Sequence, residues 1–115
     1  MAWLSDASTS PAARFYKSTV PYRLPNGTKV ADDWADLTDG SLDAAIEYNE
    51  NNGLENQWVW TGTGTSGAPS GNSCSNWTST GGTALRGNGP RTNPDWTVHS
   101  ESGCGNSYRL YCFEQ

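Results

Sequence analysis

The strongest strand signal in the chain is the stretch Gln57-Trp58-Val59-Trp60-Thr61, in which β-branched and aromatic residues follow one another. Upstream of it, the segment 20–30 places Asn26-Gly27 between alternating apolar positions, which predicts a β-hairpin with a tight turn. Between the two, residues 31–37 predict one short helix, because either of two adjacent aspartates can cap its first turn. Strands and a helix in this order predict an α+β fold.

Four further stretches contain aromatic or apolar residues in runs typical of short strands, namely 2–5, 74–78, 96–98 and 108–113. The segment 79–95 differs from them, since it has four glycines, two prolines and almost no apolar side chains. It predicts a long loop, and loops of that length inside compact domains are usually functional. The expected architecture is a single domain, residues 1–115, of antiparallel strands joined by long loops with at least one short helix.

Composition and charge exclude several classes of protein. The chain has 115 residues, of which 34% are hydrophobic and 17% charged. It contains six tryptophans, whereas a disordered acidic chain would have few aromatic residues. Its net charge of −5 predicts neither a nucleic acid nor an anionic membrane surface as partner. No apolar run approaches the roughly 20 residues that a membrane-spanning helix needs, so no membrane insertion is expected.

The three cysteines are Cys74, Cys104 and Cys112, and their spacing contains no CxxC pair. They do not indicate a zinc site, and a disulfide is the favoured use in a small domain rich in glycine and hydroxyl residues. An odd number leaves one cysteine over. It is either a free thiol or half of a bridge whose partner is absent from this chain.

Catalytic chemistry finds little support in the sequence. The only histidine, His99, lies among serines and a glutamate in a polar stretch without a nucleophile elbow, and is expected to be a solvated surface residue. The aspartates between 32 and 43 are better explained by helix capping than by a carboxylate pair for hydrolysis. Asn93-Pro94-Asp95 could offer two oxygens to calcium, although turn chemistry explains that triplet equally well. We therefore predict no enzyme activity, no metal site and no cofactor.

The six tryptophans are expected to supply the core, because leucine and isoleucine are scarce. One of them, Trp96, follows the long loop directly. It is the best candidate for a ring that stacks on a sugar or another ligand.

The order of these motifs resembles the C-type lectin-like fold. The residues that carry the resemblance are Trp58-Val59-Trp60-Thr61-Gly62, Cys74-x-x-Trp77, Trp96, Cys104 and Arg109-Leu110-Tyr111-Cys112-Phe113. They are most similar to the endostatin branch of that fold, and within it to a family of bacterial surface-lipoprotein domains of unknown function. The similarity covers nearly the whole chain.

The resemblance implies a Cys74–Cys104 disulfide and a second bridge from Cys112 to a cysteine on an N-terminal helix. That helix is missing here, which implies a fragment or a chain completed by another chain. The calcium-binding pattern of sugar-binding lectins is not matched, because the Asn-Pro-Asp triplet follows Cys74 and Trp96 is followed by Thr97-Val98. The resemblance also implies export to the cell surface or the medium.

The expected function is a non-catalytic recognition or adhesion module that binds a protein or glycan through its long loops. A structural subunit of a surface assembly is the first alternative, and a hydrolase is the second. The residues expected to contact the ligand belong to the loop 79–95 or border it: Arg86, Arg91, Asn93, Asp95 and Trp96. The two arginines are the only cations of that loop, and a guanidinium can donate paired hydrogen bonds to a carboxylate or a sulfate.

Overall fold

A computed structural model describes all 115 residues, and the fold is α+β with two antiparallel sheets and a few short helices. The smaller sheet has two strands and the larger has three, in the order β3-β4-β5. The elements in chain order are α1 (Pro11–Arg14), β1 (Tyr22–Arg23), β2 (Lys29–Ala31), α2 (Trp34–Leu37), β3 (Trp58–Trp60), α3 (Cys74–Trp77), β4 (Thr83–Asn88), a 3₁₀ helix (Pro94–Trp96) and β5 (Ser100–Gly103).

The hairpin is confirmed, and the capped helix is confirmed for Trp34–Leu37, whereas Ala31 belongs to β2. Strands β1 and β2 pair around a turn in which Gly27 has a φ of +89°, a conformation that glycine adopts without steric cost. The amide of Thr28 donates to the side-chain oxygen of Asn26 and stabilises that turn. Helix α2 begins after Asp33, whose carboxylate accepts a hydrogen bond of 3.0 Å from the amide of Asp36. Both elements depend on contacts within a few residues.

The central strand of the larger sheet lies inside the segment predicted to be a long loop, so that prediction is wrong. Strand β4 pairs with β3 on one side and with β5 on the other. Its Gly87 packs against the backbone of Trp96 and Thr97 so closely that no side chain fits there. Ala84, Leu85 and Gly87 are buried. The glycine therefore serves close packing in a strand rather than flexibility in a loop.

The segment 74–78 is not the strand that the sequence predicts. Residues Cys74 to Trp77 form a single left-handed turn with φ values between +50° and +63°. The side chain of Ser73 accepts from the amide of Asn76, and the indole of Trp77 donates to the carbonyl of Ser5. Contacts to distant parts of the chain hold this turn in a conformation that its own residues disfavour.

The other predicted strands are shorter than expected or absent. Residues 96–98 form no strand, because Trp96 ends the 3₁₀ helix and Thr97 and Val98 follow it as irregular backbone. The N-terminal and C-terminal stretches run beside each other through an isolated bridge between Ala2 and Cys112, and the amide of Phe113 donates to the carbonyl of Met1. Conversely, the polar stretch Ser100–Gly103 forms β5, which the sequence does not predict.

The core contains three of the six tryptophans, Trp3, Trp60 and Trp96, whereas the other three are only half-buried. Trp3 and Trp96 have no exposed surface, and their ring centroids lie 4.9 Å apart. The indole of Trp3 donates to the hydroxyl of Thr97 over 2.8 Å, and Tyr111 donates to the carbonyl of Trp96 over the same distance. A second, smaller cluster contains Trp60 and Ala84 on the other side of the larger sheet.

The Cys74–Cys104 disulfide is confirmed, with the two Cα atoms 5.7 Å apart. It joins the left-handed turn to the turn that follows β5. Cys112 is an exposed free thiol.

Candidate functional site

A cluster of aromatic and basic side chains is built on the larger sheet. We call it the Trp58 cluster, and it comprises Trp58 from β3, Arg86 from β4, His99 just before β5, Ser100 at the start of β5, and Tyr108 from the C-terminal segment. The guanidinium carbon of Arg86 lies 3.7 Å from the centroid of the Trp58 ring, in stacking contact. The imidazole of His99 packs against the same indole, with the centroids 4.8 Å apart.

Two hydrogen bonds fix the Arg86 guanidinium in place. Its Nε donates to the hydroxyl of Ser100 over 3.1 Å, and its Nη1 donates to the hydroxyl of Tyr108 over 3.2 Å. The Tyr108 hydroxyl is itself within 3.2 Å of Ser102 on β5. Ser100, Tyr108 and the Trp58 ring therefore hold the arginine, and its Nη2 forms no hydrogen bond within the protein.

An open groove lies beside this cluster, where β3 begins and β4 ends. It has a volume of about 490 Å³, and we call it the Trp58 groove; its lining residues are Asn56, Gln57, Trp58, Asn88, Pro90 and Arg91. The amide of Arg91 donates to the carbonyl of Asn88, so the chain turns directly after β4 and brings the second arginine to the groove. Three side-chain amides, one indole and one guanidinium thus surround a single concavity.

A second concavity is slightly larger, at about 530 Å³, and lies near the left-handed turn. Its walls are formed mostly by glycine, serine and alanine, with Asp6 as the charged residue, and no aromatic or basic side chain lines it. Small side chains offer little area for a specific contact. The Trp58 groove is the better candidate site because it combines an aromatic ring with directional polar groups.

Charge is distributed unevenly around the candidate site. Of the seven lysines and arginines, the only three beyond residue 29 are Arg86, Arg91 and Arg109. Arg109 forms an ion pair of 3.3 Å with Glu55, whereas neither Arg86 nor Arg91 has a carboxylate within 4.0 Å. The site therefore carries two unpaired cations in a protein whose net charge is −5.

The structure brings only part of the predicted site together. Arg86 and Arg91 both lie next to Trp58, although Arg86 belongs to a strand rather than to a flexible loop. Asn93 caps the 3₁₀ helix by accepting from the amide of Asp95, which accounts for that pair without an ion. Trp96 has no exposed surface. The prediction that its ring stacks on a ligand is corrected, because the ring is buried in the core.

Sequence reasoning missed the role of Trp58 and the position of His99. Trp58 was assigned to the core with the other tryptophans, yet it is only half-buried and borders the groove. His99 packs on Trp58 instead of standing alone in solvent. The polar run Asn56-Gln57 before the strand is the one signal that could have marked this end of β3 as a surface site.

Three aspartates near α2 form a group, and two of them pair with the same lysine. Carboxylate oxygens of Asp32, Asp36 and Asp43, which we call the acidic cluster, lie within 4.8 Å of one another. The ammonium of Lys29 lies 2.5 Å from Asp32 and 2.8 Å from Asp43. These two carboxylates raise the pKa of Lys29 above its usual range. The cluster is therefore a lysine ion-pair network.

No helix of this protein has the length and apolar character that crossing a bilayer requires. Comparison with known protein families, with characterised proteins and with solved structures finds no match to this chain. The lectin-like resemblance accordingly stays a prediction, and the site is interpreted from its own geometry.

Proposed function

We propose that this protein is a non-catalytic recognition module, exposed outside the cell, that binds a glycan in the Trp58 groove. The observation that carries the proposal is the composition of the groove wall, with Trp58 beside the amides of Asn56, Gln57 and Asn88. An amide side chain both donates and accepts hydrogen bonds, as sugar hydroxyls do. An aromatic ring supplies apolar contact for the C–H face of a sugar. Membership of the C-type lectin-like, endostatin-related class is part of the same proposal.

The arrangement around the only histidine supports binding rather than catalysis. The Nδ1 of His99 lies 3.1 Å from the hydroxyl of Ser100, the distance of a nucleophile and its base. However, the same hydroxyl accepts from Arg86, and no carboxylate is hydrogen-bonded to the imidazole. A catalytic serine needs a base that a third group orients. The pair is better explained as part of the scaffold that positions Arg86.

The disulfide supports a location outside the cytoplasm. Disulfides persist in oxidising compartments and are rare in reducing ones, and Cys74–Cys104 closes a separation of 30 residues in this small chain. Such a bridge contributes roughly 3–4 kcal/mol on the chain-entropy estimate. A small domain with a modest core gains a large part of its stability in this way.

A panel of immobilised glycans, read by surface plasmon resonance, tests the proposal. The variants Gln57→Ala and Arg91→Ala remove exposed side chains at the groove. Arg23→Ala is the matched control, because Arg23 is equally exposed but belongs to the smaller sheet. We expect each groove variant to weaken glycan binding about tenfold or more, equivalent to about 1.4 kcal/mol, with an unchanged melting temperature.

Two results would refute this function. One is that the wild-type protein binds no member of the panel. The other is that a glycan binds but Arg23→Ala weakens binding as much as the two groove variants do, which would place the site elsewhere.

A further inference from the structure

Arg86 is a half-buried cation that lacks an anionic partner in an acidic protein. Its guanidinium is stacked 3.7 Å above Trp58 and has no carboxylate within 4.0 Å, although the chain contains 12 aspartates and glutamates. The other arginine that borders the same strand pair, Arg109, is neutralised by Glu55. Taking a charge out of water is costly, and a half-buried guanidinium bears part of that cost. Arg86 does not itself line the Trp58 groove, but it stacks on Trp58, which does, so a ligand in the groove would lie next to this unpaired charge.

We infer that the glycan bound in the Trp58 groove is an acidic one, and that Arg86 binds the carboxylate of a uronic-type or sialic-type sugar. This inference rests on the proposed glycan function and specifies its ligand class. The free Nη2 of Arg86 and the second hydrogen of its Nη1 form the donor edge for the carboxylate. Arg91 supplies the second unpaired cation at the groove.

The arginine is fixed in position before any ligand arrives. The hydrogen bonds to Ser100 and Tyr108 and the stacking on Trp58 restrict the side chain. A flexible surface arginine loses rotamer freedom when it binds an anion, which weakens binding. Arg86 has already lost that freedom on folding. The donor fork is planar, and two parallel N–H···O bonds match the two oxygens of a carboxylate.

The number of cations favours a single carboxylate over a highly sulfated chain. Polyanions are bound through many neutralised charges and depend steeply on salt. Only two unpaired arginines are present at this site, and the rest of the protein is acidic. A sugar with one carboxylate and several hydroxyls matches one guanidinium fork and the neighbouring amides.

The test compares sugars that differ in charge but hardly in size. Oligomers of galacturonate, glucuronate and mannuronate, and sialyllactose, are each measured by calorimetry against their methyl esters. We expect at least one acidic member to bind wild-type protein tenfold or more tightly than its neutral counterpart. In Arg86→Gln that preference should fall to less than threefold while the methyl ester still binds.

Two further variants separate geometry from charge. Arg86→Lys keeps the positive charge but lacks the planar fork, so most of the preference should be lost. Arg23→Gln is the control, because it removes the same charge on the smaller sheet and should leave the preference unchanged. The near-ultraviolet circular dichroism of the tryptophans and the melting temperature check that each variant is folded.

The possible failures are distinguishable. Equal binding of acidic and neutral counterparts overturns the acidic-ligand inference and leaves the glycan function standing. Retention of the full preference in Arg86→Gln, or tighter binding of dextran sulfate than of every carboxylated sugar, also overturns the inference. Binding of no saccharide at all overturns the glycan function together with it.

Discussion

Replacement of Gly87 by alanine tests how tightly β4 packs against the core. A Cβ atom at this position would lie 2.8 Å from the carbonyl carbon of Trp96 and 3.0 Å from the Cα of Thr97, and closer still to the Trp96 carbonyl oxygen. Carbon atoms in contact normally lie about 3.5–4.0 Å apart, so the two backbones must separate by roughly 1 Å. All of these contacted atoms belong to the backbone, so no change of side-chain rotamer can relieve the clash.

The cost follows from two contacts. Overpacking costs about 1–3 kcal/mol. Because the clash here is with backbone atoms, we expect the upper end of that range, about 3 kcal/mol. Moving the Trp96 carbonyl also weakens its 2.8 Å hydrogen bond from Tyr111, worth about 1 kcal/mol. Alanine restricts the unfolded chain more than glycine does, and this effect stabilises the folded state by about 0.4–1 kcal/mol. We expect Gly87→Ala to lower the free energy of unfolding by about 3 kcal/mol.

Urea unfolding followed by tryptophan fluorescence measures this loss. With an m-value of about 1.5 kcal/mol/M, the midpoint should fall by about 2 M. Gly103→Ala on the neighbouring strand is the control, because its Cβ would meet only the Asn106 side chain at 3.6 Å. It should shift the free energy by less than about 0.5 kcal/mol. A Gly87→Ala protein as stable as this control would refute the packing of β4 against the 3₁₀ helix.

Three further predictions concern ionisable and reactive groups. Alkylation without reduction should label Cys112 alone, and labelling of either bridged cysteine would contradict the disulfide. Burial raises the pKa of Tyr111, so the unfolded chain loses this proton first and stability should fall above about pH 10, by up to about 1.4 kcal/mol per pH unit. Tyr111→Phe should make that alkaline fall shallower, and an identical slope would be evidence against the buried hydroxyl. Millimolar calcium should leave the melting temperature unchanged, because the Lys29 ammonium already binds two of the three carboxylates of the acidic cluster. A rise of several degrees would show a cation site.

The features predicted from sequence are those fixed by neighbouring residues. The Asn26-Gly27 turn and the Asp33 cap depend on side chains within three positions of the backbone groups that they bind. Strand β3 is recognisable because its residues have high strand propensity wherever they occur. The disulfide matches the pairing that the resemblance implied.

The features that were missed depend on partners far along the chain. The glycines and polar residues of β4 do not have the pattern of a central strand. Gly87 occurs there because the backbone of Trp96, in the 3₁₀ helix, leaves no room for a side chain. The left-handed turn after Ser73 shows the same dependence, since its Trp77 is held by the carbonyl of Ser5. Sequence periodicity carries no information on such contacts.

The sequence predicts the arginines of the candidate site but not its aromatic ring. Arg86 and Arg91 are predicted because they are the only cations of the segment 79–95 in an acidic chain. Their aromatic partner is not predicted, since only the polar pair Asn56-Gln57 distinguishes the half-buried Trp58 from the fully buried Trp96. Which tryptophan reaches the surface is decided by strand pairing and by the core that the other rings fill.

Because its first and last residues are neighbours, the domain is suited to insertion into another protein and to circular permutation. Residues bridged across antiparallel strands lie about 5 Å apart, and Ala2 and Cys112 form such a bridge. A host protein could therefore hold the domain inside one of its own surface loops with little distortion, because entry and exit points nearly coincide. A short linker between the two ends, with new termini opened at Gly81-Gly82, should likewise give a circular permutant that retains the fold.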